Sequence, residues 1–271
     1  MPIRKINITR IKNIEREHIL DSVLIESPID IFINTEPLAN IICLPKDLKE
    51  LAFGFLYSVG IINSVDEIKD IKISELENNI FVELQNTVNF KIEDIDINPV
   101  SRVVDTTCGI SSPWRKLIKS RLDEAKVKEK LWSEDTIRIK SNIIFSAIKT
   151  MQLNTPLYRE TGGCHGAAIF NFEGNLLAVK EDIGRHNAID KVIGEMLLKK
   201  HSFENVLLTS TGRLTGDSVL KAVRAKIPIV ASFSAAIESG IKLAFAYGIT
   251  LIGFARGSRM NIYTHPERIE T

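Results

Sequence analysis

The chain is 271 residues long, 44% hydrophobic and 25% charged. That composition supports a packed core in one large domain or two modest ones and excludes collagen-like, mucin-like and disordered classes. Its 35 Lys and Arg balance 34 Asp and Glu for a net charge of +1, so there is no global field to coat a polyanion and no nucleic-acid partner is expected.

The longest nearly apolar stretch, residues 51–62, is broken by Gly54, Ser58 and Gly60 and is shorter than the roughly 18 residues of a membrane span. No membrane association is expected. Residues 1–7 carry charge without a following apolar segment, so no secretion leader is expected, and Asn7-Ile8-Thr9 reads as an incidental sequon. Three cysteines, Cys43, Cys108 and Cys164, suit a reducing, cytoplasmic setting better than a disulfide scaffold.

In chain order, residues 22–44 hold β-branched and aliphatic runs separated by Ser27-Pro28 and Glu36-Pro37, which predicts two or three strands. Residues 46–59 place Leu48, Leu51, Ala52, Phe55 and Leu56 at helical spacing between Pro45 and Gly60, which predicts a helix. Residues 68–73 and 80–84 alternate around Glu77-Asn78-Asn79 as a hairpin. Periodicity fails over 98–113, a loop that contains Cys108. Ser112 and Pro113 then suit the start of a helix from 114 to about 130, whose Lys- and Arg-rich face reads as solvated.

A helix at 141–151 and a strand pair at 167–172 and 175–180 follow. Beyond them come helices at 186–199, 217–225 and 237–247 and strands at 206–209, 229–231 and 250–254. This alternation predicts an α/β layered fold with a largely parallel sheet. The expected division is a β-rich subdomain with one helix over 1–100, a cysteine loop and helix over 101–140, and an α/β domain over 141–271.

Cys108 lies in Thr106-Thr107-Cys108-Gly109-Ile110-Ser111-Ser112-Pro113, a polar loop running into a helix start, with Arg115 and Lys116 one turn on. Such a setting favours a thiolate, although an incidental cysteine fits the same residues. Cys43, among Ile41, Ile42 and Leu44, reads as a small core hydrophobe. Cys164 and His165 are neighbours on an expected strand and so point to opposite faces. No Cys-x-x-Cys or His-Glu-x-x-His occurs to build a zinc site, and no metal is expected. Nucleophile-elbow, Walker and Gly-x-Gly-x-x-Gly signatures are missing from the sequence.

Three glycine- and arginine-bearing segments follow expected strands: Glu181-Asp182-Ile183-Gly184-Arg185-His186-Asn187, Ser210-Thr211-Gly212-Arg213 and Phe254-Ala255-Arg256-Gly257-Ser258-Arg259. Each alone is compatible with a solvated turn; together they suit one anionic, phosphate-bearing ligand at the carboxyl edge of a sheet. His186 reads as a cap of its own helix and His265 as an anchor of the C-terminal tail.

The segments 160–168, 181–191 and 253–268, with Pro45-Lys46-Asp47-Leu48 and Gly54-Phe55, closely resemble the formate dehydrogenase accessory FdhD family over most of the chain. The resemblance implies a sulfurtransferase that passes sulfur from a cysteine desulfurase to the molybdenum cofactor, as its bis(molybdopterin guanine dinucleotide) form, before insertion into formate dehydrogenase. It further implies a cytidine-deaminase-like C-terminal fold without a zinc site, and a homodimer is expected of such a carrier. Cys108 matches the persulfide-bearing residue, and Phe254, Ala255, Arg256, Gly257, Ser258 and Arg259 match the cofactor-binding segment. Where many members have Cys-x-x-Cys this chain has Cys108-Gly109-Ile110-Ser111, and serine can neither carry sulfane sulfur nor form a disulfide. The alternative is a cofactor-binding chaperone for formate dehydrogenase without sulfur chemistry.

Overall fold

The computed structural model describes residues 2–95, 102–104, 112–124 and 137–271; the proposed carrier residue, Cys108, lies outside them. The N-terminal ribbon pairs β1 (Ile3–Lys12) with β2 (Glu15–Leu24). Sequence patterning missed β1 because most of its residues are exposed and no buried apolar alternation marks it. β3 (Ser27–Ile33) and β4 (Glu36–Cys43) follow. The turn between them is Asn34-Thr35, both in the left-handed region, so Glu36-Pro37 opens a strand instead of separating two.

Helix α1 (Leu48–Ser58) begins two residues later than its apolar spacing suggested, and Gly60, at φ 83°, ends it. β5 (Ile68–Ser74) and β6 (Asn79–Leu84) form the expected hairpin. With β7 (Val103–Val104) these strands make a sheet in the order β5-β6-β3-β4-β7. Its strands bury alternate residues, Ile29, Ile31 and Ile33 on one and Ile80, Val82 and Leu84 on another, as a half-solvated sheet requires.

Helix α2 (Ser112–Glu124) turns Trp114, Leu117, Ile118 and Leu122 inward, and the Trp114 ring meets Phe55 edge-on at 5.2 Å. Its cationic face is not wholly solvated, as the site below shows. After β8 (Ile139–Lys140) come α3 (Ser141–Leu153) and the short α4 (Pro156–Thr161).

The larger layer is built from β9 (His165–Asn171), β10 (Leu176–Asp182), α5 (Arg185–Leu198), β11 (Val206–Ser210), α6 (Gly216–Arg224), β12 (Ile229–Ser232), α7 (Glu238–Tyr247), β13 (Thr250–Arg256) and β14 (Arg259–Ile262). β15 (Ile269–Glu270) returns to pair with β8. The strand order is β10-β9-β11-β12-β13-β14. The chain is α/β, as expected, but only β11, β12 and β13 run parallel to their neighbours, and β9 and β14 pair antiparallel. Tight reversals at Glu173-Gly174 and Gly257-Ser258 leave no room for a crossover helix, so those joins are hairpins.

Helix α3 covers one face of this sheet, with Ile144, Ala147, Ile148 and Met151 against Phe170, Leu207 and Ile252. Helices α5 and α6 join the other core, which continues through α1 into the smaller sheet. Helices α1 and α5 cross at glycines. A Cβ on Gly54 would lie 1.8 Å from the Asp190 carbonyl oxygen, and one on Gly194 1.9 Å from that of Glu50. Only hydrogen at both positions permits this backbone-to-backbone approach. Among the described residues no helix is long and apolar enough to cross a membrane.

Candidate functional site

β10 and β11 both run antiparallel to β9, so β10, β11, β12 and β13 end at one sheet edge, where β9 begins. That topology gathers the three Gly- and Arg-bearing segments, as their positions after strands suggested.

Much of the first segment is structural. The Asp182 carboxylate accepts from Gly184 N, Leu44 N and Asn187 Nδ2 at 2.8–3.1 Å and pairs with Lys191 at 2.6 Å, both side chains fully buried. Glu181 accepts from Leu157 N and Tyr158 N at the start of α4 and lies 3.7 Å from Cys164 Sγ. Asp182 thus ties the loop to Leu44 of the N-terminal layer, and Glu181 ties it to the start of α4. The Arg185 side chain crosses Gly212, where a Cβ would meet its Cβ at 2.7 Å.

His165 Nδ1 lies 3.1 Å from Thr211 Oγ1, which also accepts from Gly166 N at 3.0 Å. Thr211 therefore has a hydroxyl proton to give His165 Nδ1, which fits a neutral ring. Burial, then Arg185, pushes the proton affinity of His165 down against the pull of Asp182, with Arg213 adding to the decrease. His186 does not cap its helix. It is 3% exposed, neither ring nitrogen has a hydrogen-bond partner, and burial with Lys221, Arg185 and Arg115 nearby holds its pKa well below the usual value.

The segment 254–259 is a strand end and hairpin, not a crossover loop. Phe254 adopts φ 51°, Gly257 φ 58°, and Arg256 pairs across with Arg259. The Arg256 guanidinium stacks 4.0 Å from the Phe233 ring centroid and 5.8 Å from that of Phe254, and its Nε donates to Phe233 O at 2.9 Å. Ser258 and Arg259 are exposed, whereas Ala255 is fully buried and belongs to the core. A crevice of about 340 Å³ lies beside Arg256 and Gly257, walled by Phe145, Lys149 and Gln152 of α3 and by Phe233. Sequence reasoning missed the α3 wall because nothing in the helix read at 141–151 marks its residues as neighbours of Arg256, about a hundred positions further on.

Arg115 is not a spare charge. Its Nε and Nη2 donate to the Asp217 carboxylate at 2.6 and 3.0 Å, a bidentate pair that raises its pKa. Cys43 and Cys164 are 0% and 4% exposed. Burial, reinforced by Asp182 at one and Glu181 at the other, pushes each thiol up to about 12. Cys43 thus packs in the core as read, and Cys164 faces Glu181 while His165 faces Thr211.

Residues 24–270 match the FdhD/NarQ family. The chain is 36% identical over 272 residues to the sulfur carrier protein FdhD of Saccharolobus solfataricus, covering 98% of each. It is 32% identical over 263 residues to that of Bacillus subtilis, covering 97% of this chain and 96% of the relative. A crystal structure described as a formate dehydrogenase accessory protein from Desulfotalea psychrophila superposes with a TM-score of 0.77 at 28% identity, covering 100% of both chains.

Proposed function

The chain belongs to the FdhD/NarQ family, and on that premise we propose that it carries sulfur on Cys108 from a cysteine desulfurase to the molybdenum cofactor of formate dehydrogenase. The observation that carries this reading is the state of the other two cysteines. Cys43 and Cys164 are buried and held protonated near neutral pH, and a protonated, enclosed thiol is neither nucleophile nor carrier. Of the three cysteines, Cys108 is the one left for the chemistry.

The Cys108 thiolate attacks the outer sulfur of the donor persulfide. A new S–S bond forms, the donor's S–S bond breaks, and the donor leaves as thiolate while Cys108 holds the persulfide. The Cys108 S–S bond then breaks, the outer sulfur goes to the cofactor cargo at the sulfane level and Cys108 leaves as thiolate, and the two electrons that would bring that sulfur to the sulfide level would come from the cargo's own metal. One cysteine completes this sequence, so Ser111 does not block it.

The cargo is the bis(molybdopterin guanine dinucleotide) form of the cofactor. Arg256, stacked between aromatic rings, and exposed Arg259 fit its phosphates, and the neighbouring crevice with Phe145, Phe233, Lys149 and Gln152 fits a guanine ring. Ala255 supports this segment from the core. The carrier works in the cytoplasm as a homodimer.

Expressing Cys108→Ser in cells lacking the native gene tests the reading. Loss of formate dehydrogenase activity with an intact, nucleotide-binding variant supports sulfur transfer. Full activity identifies a chaperone that presents the cofactor without sulfur chemistry.

A further inference from the structure

The ribbon of β1 and β2 pairs residue by residue from Ile3 with Leu24 at its base to Lys12 with Glu15 at its tip. Successive residues of a strand point to opposite faces. The inner face rests on the body: Ile3 and Leu24 pack with Leu44, Leu157 and Cys164, Ser22 Oγ donates to Glu160 of α4 at 2.7 Å, and Lys5 lies 3.8 Å from the same carboxylate. The outer face is centred on Ile8 opposite Ile19, followed toward the tip by Arg10 opposite Glu17 and Lys12 opposite Glu15. We propose that a second copy of the chain docks on this outer face, ribbon on ribbon. The inference rests on the homodimer reading above and names its surface.

A two-stranded ribbon is marginally stable in water unless a further layer covers it. Here the body holds the base alone. Beyond it Ile6, Ile11, Ile14 and Leu20 are exposed, so the outer part of the arm gains little burial from its own chain. A cluster of exposed apolar side chains rimmed by charge marks an interaction surface, whereas single ones do not. The arm also lies ahead of residues 24–270, which match the family, so its length answers to something other than the shared fold.

The charge pattern selects a second copy as the occupant. β1 carries Arg4, Lys5, Arg10 and Lys12 and no acid, while the outer face of β2 carries Glu15, Glu17 and Asp21 and no base. A two-fold axis running along the ribbon, between two outer faces, lays β1 of one copy over β2 of the other in the same register. Lys12 then meets Glu15 of the second copy and Arg10 meets its Glu17, each twice by symmetry, around a centre of Ile8 and Ile19 from both. An axis across the ribbon would instead set Lys12 over Arg4 and Glu17 over Asp21, like charge on like, so charge fixes the first arrangement. Within one copy Arg10 lies 3.8 Å from Asp21 with both side chains about half exposed, a contact worth little. Because the inner faces rest on α4, the two bodies fall on opposite sides of the paired ribbons.

A charge exchange tests this. The variant Arg10→Glu, Lys12→Glu, Glu15→Lys and Glu17→Arg keeps opposite charges facing across the ribbon and stays complementary to itself, but it opposes the wild type base on base and acid on acid. Native mass spectrometry of the exchanged chain mixed with heavy-isotope-labelled wild type, after dilution and reconcentration, counts mixed dimers. The expected result is a dimer of each chain, with mixed dimers about tenfold or more below the random proportion. Sedimentation velocity should show the dissociation constant of Ile8→Lys raised about tenfold or more, with circular dichroism verifying its fold. Mixed dimers at the random proportion, an exchanged chain that stays monomeric, or wild-type affinity in Ile8→Lys would overturn the ribbon assignment and leave the homodimer reading. A wild type monomeric at every concentration tested would overturn both, and neither result bears on sulfur carriage by Cys108.

Discussion

The Lys221 ammonium lies 2.6 Å from both carboxylate oxygens of Asp190, and neither side chain is more than 2% exposed. Ser58 Oγ donates to the same carboxylate at 2.7 Å, so one buried acid ties α6, α5 and α1 together. Removing one member of such a pair leaves the other charged and unpaired. Asp190→Ala is expected to cost about 3–5 kcal/mol in urea unfolding, and Asp190→Leu with Lys221→Met to recover much of it. A loss below about 1 kcal/mol in the single variant would mean that water reaches Lys221.

The crossing of α1 on α5 makes a second prediction. Gly54→Ala places a methyl within van der Waals overlap of the Asp190 backbone, so the helices must separate. The expected loss is about 1–3 kcal/mol or more, in spite of the higher helix propensity of alanine. Gly174→Ala, which has no backbone atom within 4 Å of the added Cβ, carries instead the smaller strain of its φ of 87°. Thermal melts of both variants rank them.

His165 and His186 both have lowered proton affinity in the folded chain. In the unfolded chain their pKa is about 6.5. Below that value the unfolded state binds more protons than the folded one, so their contribution is complete above pH about 6.5 and is lost as pH falls toward the folded values. Stability should drop by about 1.4 kcal/mol per pH unit for each proton taken up on unfolding. Urea midpoints across pH 5 to 8 measure this, the range being roughly that in which an ordinary histidine titrates. His186→Gln should flatten the acid side, and an unchanged slope would mean that His186 is protonated in the fold.

Arg256 stacks on Phe233 and donates to its carbonyl, whereas Arg259 is exposed on the opposite strand of the hairpin. Arg256→Ala should weaken guanosine diphosphate binding about tenfold and Arg259→Ala comparably, with folding unchanged. Calorimetry with each variant measures this, and wild-type affinity in both would remove the hairpin from the binding site.

The regular elements were legible where a single period governs a segment. Leu48, Leu51, Phe55 and the Ile80–Leu84 alternation announced α1 and β6 because each buries one face. The ribbon β1 and the strand β14 were not legible: one is mostly exposed, and the other, Arg259–Ile262, alternates polar with only half-buried residues after a glycine turn. The candidate site was legible as a set of loops after strands, because strand direction alone brings Asp182, Ser210, Ser232 and Arg256 to one edge. Charge pairing was not. Nothing local in the sequence tells that Asp182 belongs to Lys191, or that Arg115 is spoken for by Asp217, 102 residues away. Such partners meet only through tertiary packing.

The most direct test of the carrier reading is intact-protein mass spectrometry after incubation with a cysteine desulfurase and cysteine, for the wild type and Cys108→Ser. Burial and protonation remove Cys43 and Cys164 from the reaction. The account predicts a sulfur-sized mass gain in the wild type, reversed by reductant and missing in Cys108→Ser. An equal gain in Cys108→Ser, or none in the wild type with a competent donor, would contradict it.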